Sequence, residues 1–142
     1  MKLKILIFDP DLGLRELLKI YLAGQGHEVQ AYEDVTVCPL FRNLQDESCR
    51  CSRQQPCADA VLVDLRMPHI NAIDFLKLQR QRGCKAADAN KAVMSASMTK
   101  TLEAAIKAFG CHHIKKPFHL ADIKCWIEAC AARLAARQQS SS

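Results

Sequence analysis

Five polar residues end or directly follow apolar stretches of strand length. They are Asp9, Asp11, Asp64, Ser95 and Lys116. If the stretches form parallel strands, their carboxyl ends share one edge of a sheet and bring these side chains together. Carboxylates there hold a hard cation such as Mg²⁺, and one of them serves as a nucleophile toward phosphorus. A lysine neutralises charge on the transferred oxygens, and a hydroxyl donates a hydrogen bond to one of them.

The apolar patterns predict the elements that position these residues. Short apolar runs predict five strands, over Leu3–Phe8, His27–Tyr32, Ala60–Asp64, Ala92–Ala96 and Cys111–Lys115. Helical spacing predicts five helices, over Leu14–Leu22, Val35–Leu44, Asn71–Arg82, Thr99–Phe109 and Leu120–Leu134. Gly83–Lys91 is predicted as a polar connection. The regular alternation predicts an α/β fold, with a parallel sheet and helices on both of its faces.

The stretch Ala60-Val61-Leu62-Val63 is apolar on both faces, which is typical of a buried central strand. It runs directly into Asp64. A carboxylate in that position is costly to bury unless it is paired, hydrated or liganded. Asp64 is therefore either a cap on the following turn or the centre of a site.

Composition narrows the class of protein. The chain has 142 residues, 49% of them apolar and 25% charged, as expected for one globular domain. No apolar run is long enough for a membrane span or a signal peptide, so we expect a cytoplasmic protein. The formal charge is +5, but no basic run is interleaved with aromatic residues. We therefore expect neither nucleic acid nor a membrane as a partner.

The chain resembles the receiver domains of two-component response regulators over residues 3 to 136. Asp64 in Val-Asp-Leu-Arg-Met-Pro matches the phosphoacceptor of that family, and Asp9 matches its first acidic metal-site residue. Ser95 in Met-Ser-Ala matches the switch hydroxyl, and Lys116 in Lys-Lys-Pro-Phe matches the site lysine. Each motif alone is weak, but together they stand in the right order on the right strand ends.

The resemblance implies a flavodoxin-like fold with strand order 2-1-3-4-5 and five helices. It implies that Asp64 accepts a phosphoryl group from a histidine kinase or phosphotransfer protein, and that the chain is no enzyme beyond an autophosphatase activity. It also implies Mg²⁺ at Asp9, Asp11 and Asp64, and a cis bond between Lys116 and Pro117. Phosphorylation would be read out through protein contacts on the face of the fourth helix, fifth strand and fifth helix, where a homodimer is also expected.

The chain departs from the family pattern at several positions. Pro10 stands where the family has a second acidic residue, so Mg²⁺ should bind weakly, with Asp11 as a partial replacement. Ala72 replaces the usual glycine at the entry of the third helix. His113 replaces the switch aromatic of the fifth strand, which would make switching sensitive to pH near neutrality.

An insertion at about residues 46–57 has no counterpart in the family. The remainder of 1–137 is the receiver domain, and 138–142 is a polar tail. Four of the eight cysteines lie in this insertion or shortly before it: Cys38, Cys49, Cys51 and Cys57. Four thiolates can form a tetrahedral zinc site, although the spacing lacks the usual Cys-x-x-Cys pairs. Free thiols and a redox disulfide are the alternatives.

Two other functions compete with the signalling receiver. Ile7-Phe8-Asp9-Pro10-Asp11 also resembles the Asp-x-Asp motif of haloacid-dehalogenase-type phosphatases, with Asp9 as nucleophile and Asp11 as acid and base. That family needs a late acidic pair for Mg²⁺, which this chain lacks outside predicted helices, and Asp64 would have no role. The second competing hypothesis is a degenerate receiver that acts only as a protein-binding module.

Overall fold

The computed structural model describes residues 1–35, 58–84 and 86–140, with side chains described as far as 138. Residues 36–57 lie outside the described residues. They hold nearly all of the predicted helix Val35–Leu44, the insertion at 46–57, and Cys38, Cys49, Cys51 and Cys57. The predictions made for those residues therefore stay predictions.

Five parallel strands form one sheet in the order β2-β1-β3-β4-β5, which confirms the predicted topology. The strands are β1 (Lys4–Phe8), β2 (Glu28–Tyr32), β3 (Ala60–Asp64), β4 (Lys91–Ser95) and β5 (His112–Lys115). All five residues of β3 are buried, as expected for an apolar strand with a neighbour on either side. β1 and β3 run side by side at the centre, so their carboxyl ends meet in the middle of one edge.

The described residues form four α-helices, against five predicted. They are α1 (Leu12–Gly24), α2 (Ala72–Gln81), α3 (Lys100–Ala108) and α4 (Leu120–Ser140). The first three begin at side-chain caps, in which Asp11, Asn71 and Thr99 accept hydrogen bonds from backbone N–H groups three residues ahead. None of the described helices is both long and apolar enough to cross a membrane. α4 continues to Ser140, so the first three residues of the predicted polar tail are helical.

The described residues form an apolar core on each face of the sheet. Helices α1 and α4 cover one face, where Leu18, Leu22 and Ile127 pack on Ile7 and Leu62. Helices α2 and α3 cover the other face, which carries the alternate strand residues such as Val63 and Val93. Because side chains alternate along a strand, the phase of each strand determines toward which helix pair its last residue points.

Candidate functional site

Three of the predicted site residues meet at the carboxyl edge of the sheet. The Nζ atom of Lys116 lies 2.7 Å from Oδ2 of Asp9 and 2.5 Å from Oδ1 of Asp64. One ammonium group therefore donates hydrogen bonds to two carboxylates that are far apart in sequence.

Strand phase explains why these three side chains converge. Asp9 and Asp64 lie two positions beyond Ile7 and Leu62, both of which point toward α1 and α4. Lys116 likewise lies two positions beyond Ile114, which belongs to the same core. The Lys116 N–H donates to the Ser95 carbonyl at 2.9 Å, which holds the residue beside the end of β4. The bond from Lys116 to Pro117 is cis, as the resemblance predicts.

The two carboxylates differ in how accessible they are. Asp9 is 1% exposed, and its other oxygen, Oδ1, accepts the Asp11 N–H at 2.8 Å. The side chain of Asp64 is 12% exposed, and its Oδ2 accepts the Arg66 N–H at 3.1 Å. Asp64 is thus the carboxylate that an incoming group can reach.

The protonation of Lys116 follows from these contacts. Burial alone would lower the pKa of Lys116, but hydrogen bonds from its ammonium to Asp64 and Asp9, together with their negative charges, raise the pKa overall. Lys116 therefore carries its full positive charge at pH 7.

The Ser95 hydroxyl is not hydrogen-bonded to Asp64. It is 4% exposed, and along β4 it is in phase with Val93, on the face that packs against α2 and α3. Its Oγ atom donates a short hydrogen bond to the Ser97 carbonyl and accepts the Ser97 N–H at 3.2 Å. The hydroxyl is thus engaged within its own turn, and it must leave those partners to reach a group on Asp64.

Arg15 is a site residue that the sequence analysis missed. It lies on the side of α1 that faces the sheet, one turn before Leu18 and two turns before Leu22, both of which are fully buried. Its Nη1 atom donates a 2.8 Å hydrogen bond to the Asp9 carbonyl. The spacing of Arg15, Leu18 and Leu22 was a usable signal, since it places the guanidinium over the end of β1.

Solved structures that are similar to this chain include response-regulator receivers. The chemotaxis protein CheY4 of Vibrio cholerae is 19% identical, with a TM-score of 0.69 over 92% of this chain and 99% of that chain. A two-component response regulator from Clostridium difficile is 15% identical, with a TM-score of 0.68 over 92% and 97%. The receiver domain of Francisella response regulator 1452 is 18% identical, with a TM-score of 0.74 over 94% and 99%.

The chain has the receiver-domain fold. At these identities the likeness establishes the architecture and leaves the chemistry to the residues themselves. No family model matches the sequence, and no curated protein is similar to it in sequence.

The Mg²⁺ expected for a receiver fold does not suit the donors at this site. Pro10 has no side-chain oxygen, and Oδ1 of Asp11 accepts the Leu14 N–H at 3.1 Å as the cap of α1. Between the two remaining carboxylates lies the Lys116 ammonium. Among the described residues, no three His, Cys, Asp or Glu side chains are grouped as they would be around a metal ion. Lys116 thus bridges Asp9 and Asp64 while Asp11 caps α1, and Mg²⁺ binding by these three residues stays a prediction.

His113 lies in the middle of β5 and is half-buried. Its Nε2 atom is buried and has no hydrogen-bond partner among the described residues. Burial lowers the pKa of His113 below 6.5, and the neighbouring His112 adds to that effect. The imidazole is thus neutral at pH 7, so a pH dependence of switching through His113 is now predicted below pH 6.5 and not near neutrality.

Proposed function

We propose that Asp64 accepts a phosphoryl group from the phosphohistidine of a kinase or phosphotransfer protein in the cytoplasm. The observation that carries this proposal is the environment of Asp64 at the end of the central strand. One oxygen accepts a hydrogen bond from the Lys116 ammonium, the other accepts the Arg66 N–H, and the side chain remains partly exposed.

The transfer uses groups that are present at the edge of the sheet. An Asp64 oxygen forms a bond to phosphorus while the phosphorus–nitrogen bond of the donor breaks. The electron pair of that bond stays on the donor imidazole, which takes up a proton. Lys116 offsets charge on the transferred oxygens. The chain is then a phosphoacceptor and not an enzyme, apart from slow hydrolysis of its own acylphosphate.

The alternative hypothesis, a phosphatase with Asp9 as nucleophile, has less support. Both carboxylates accept two hydrogen bonds, but Asp9 is only 1% exposed, whereas the side chain of Asp64 is 12% exposed. Asp11, the acid and base of that reading, caps a helix instead. A degenerate receiver would not be phosphorylated, and the experiment below tests this alternative.

We propose that the signal leaves through protein contacts on the face formed by α3, β5 and α4, with no direct role for nucleic acid or membrane. A phosphoryl group on Asp64 adds acceptor oxygens that can attract the Ser95 hydroxyl away from Ser97. That movement would open space beside His113, on the α3 side of β5. A homodimer through the same face is part of this proposal.

Labelling with radioactive acetyl phosphate tests the proposal. Wild-type protein should acquire an acid-stable, base-labile label, and Asp64→Asn should lose it. Asp122→Asn is the matched control, because Asp122 is an exposed carboxylate on α4 and should not affect labelling. Persistent label on Asp64→Asn would refute the assignment, and an unlabelled wild type would favour the degenerate receiver.

A further inference from the structure

Two cationic side chains offset the charges of Asp9 and Asp64 without a metal ion. Asp9 and Asp64 contribute two negative charges, and Lys116 contributes one positive charge through direct contacts with both. Arg15 contributes a second positive charge at the Asp9 carbonyl. These four residues have no net charge to attract a divalent cation, and the nearby Asp11 carboxylate is exposed and engaged as the cap of α1.

The placement of Arg15 is fixed by the fold. Leu18 and Leu22 anchor the sheet-facing side of α1, and the Asp11 cap anchors its first turn. The guanidinium is held where β1 ends, next to Pro10, the position at which an acidic residue is missing. An arginine is always charged at physiological pH, so it acts there as a permanent cation.

We propose that Asp64 accepts its phosphoryl group without a divalent cation, and that Arg15 is the positioning residue whose charge offsets Asp9. This inference rests on the proposed phosphoryl acceptance at Asp64. Lys116 is then free to follow the phosphoryl oxygens, because Arg15 continues to compensate the buried Asp9 carboxylate.

The reaction with acetyl phosphate balances without a metal. An Asp64 oxygen bonds to phosphorus, the bond from phosphorus to the acetyl oxygen breaks, and acetate leaves with the electron pair. No proton moves. The carboxylate charge of Asp64 is replaced by a phosphoryl charge of about −2. The four-residue cluster therefore changes from neutral to a single net negative charge.

The test measures the initial rate of labelling by acetyl phosphate in EDTA and in millimolar Mg²⁺. The wild-type rates should agree within about twofold, whereas Arg15→Gln should be about tenfold slower in EDTA. Mg²⁺ should restore the Arg15→Gln rate, since the cluster then carries a net negative charge. Restoration by Mg²⁺ is a response that a purely structural role of Arg15 would not produce.

Three further variants complete the test. Lys19→Gln removes an exposed charge one turn further along α1 and should behave as wild type in both buffers. Arg15→Lys should retain most of the rate in EDTA. Pro10→Asp should acquire a requirement for Mg²⁺, because it adds a third carboxylate. Urea denaturation of each variant checks that it is folded.

The outcomes separate this inference from the proposed function. Wild-type labelling that stops in EDTA and returns with Mg²⁺ would overturn the metal-free reaction but leave Asp64 as the acceptor. An Arg15→Gln rate equal to the wild-type rate in EDTA would overturn the role of Arg15. Wild-type protein that is unlabelled in both buffers would overturn the inference and the proposed function together.

Discussion

Replacing Lys116 by Met should destabilise the fold by removing the ion-pair partner that Asp9 and Asp64 share. The Lys116 side chain is 22% exposed, that of Asp64 12% and that of Asp9 only 1%. Removing one partner of a buried ion pair costs about 3–5 kcal/mol, and the partial exposure of Lys116 favours the lower end, about 3 kcal/mol. At this chain length that corresponds to a decrease in Tm of roughly 10 °C.

Urea denaturation followed by the fluorescence of Trp126, the one tryptophan, measures this loss. Lys115→Met is the matched control, because Lys115 is exposed and adjacent in sequence. Adding Asp9→Asn to Lys116→Met should recover at least about 1 kcal/mol, since a single carboxylate then remains without a like charge beside it. If Lys116→Met and Lys115→Met have the same free energy of unfolding, Lys116 does not hold the site together.

Three other predictions concern the site and the insertion. Because the pKa of Lys116 is raised above its ordinary 10.5, its stabilisation is complete below that pH and is lost as the pH rises through the raised value. The stability gap between wild type and Lys116→Met, measured by urea titration, should therefore narrow above pH 10.5. Asp11→Ala should lower the free energy of unfolding by about 1 kcal/mol and Asp11→Ser should not. Both variants should still be labelled at Asp64 by acetyl phosphate. Loss of the label would indicate that Asp11 does more than cap α1. Elemental analysis should find about one zinc per chain, lost on mutating Cys49 and Cys51. Metal-free protein would support free thiols.

The sheet could be predicted because its strands are short apolar runs of the length that parallel strands require. β3 is the clearest case, with four apolar residues that are buried on both faces in the structure. Caps were also visible locally, since Thr99 stands three residues before Leu102 and accepts its N–H at 3.1 Å. Topology predicted that Asp9, Asp64 and Lys116 lie at one edge, because carboxyl ends of parallel strands share it, and their common strand phase brings the side chains into contact.

Polar contacts of buried side chains were not predicted by the apolar patterns. Lys91 was predicted in a polar connection, yet it begins β4, is 2% exposed and pairs with Asp88 at 3.3 Å. A lysine interrupts an apolar pattern, and its pairing with Asp88, three residues earlier, depends on the single helical turn Asp88–Asn90 that precedes β4. Arg15 was not predicted as a site residue because its acceptor is a backbone carbonyl, a group that every residue carries. Ser95 was predicted correctly at the end of a strand. The face of the sheet toward which its side chain points, and its hydrogen bond to Ser97, could not be predicted from residue type.

The most direct test of the account is to map the phosphoryl group. Protein treated with acetyl phosphate is reduced with borohydride, which converts an aspartyl phosphate to homoserine, and the digested peptides are sequenced by mass spectrometry. Acceptance of the phosphoryl group on Asp64 predicts homoserine at position 64. Homoserine at position 9, or at neither position, would contradict it.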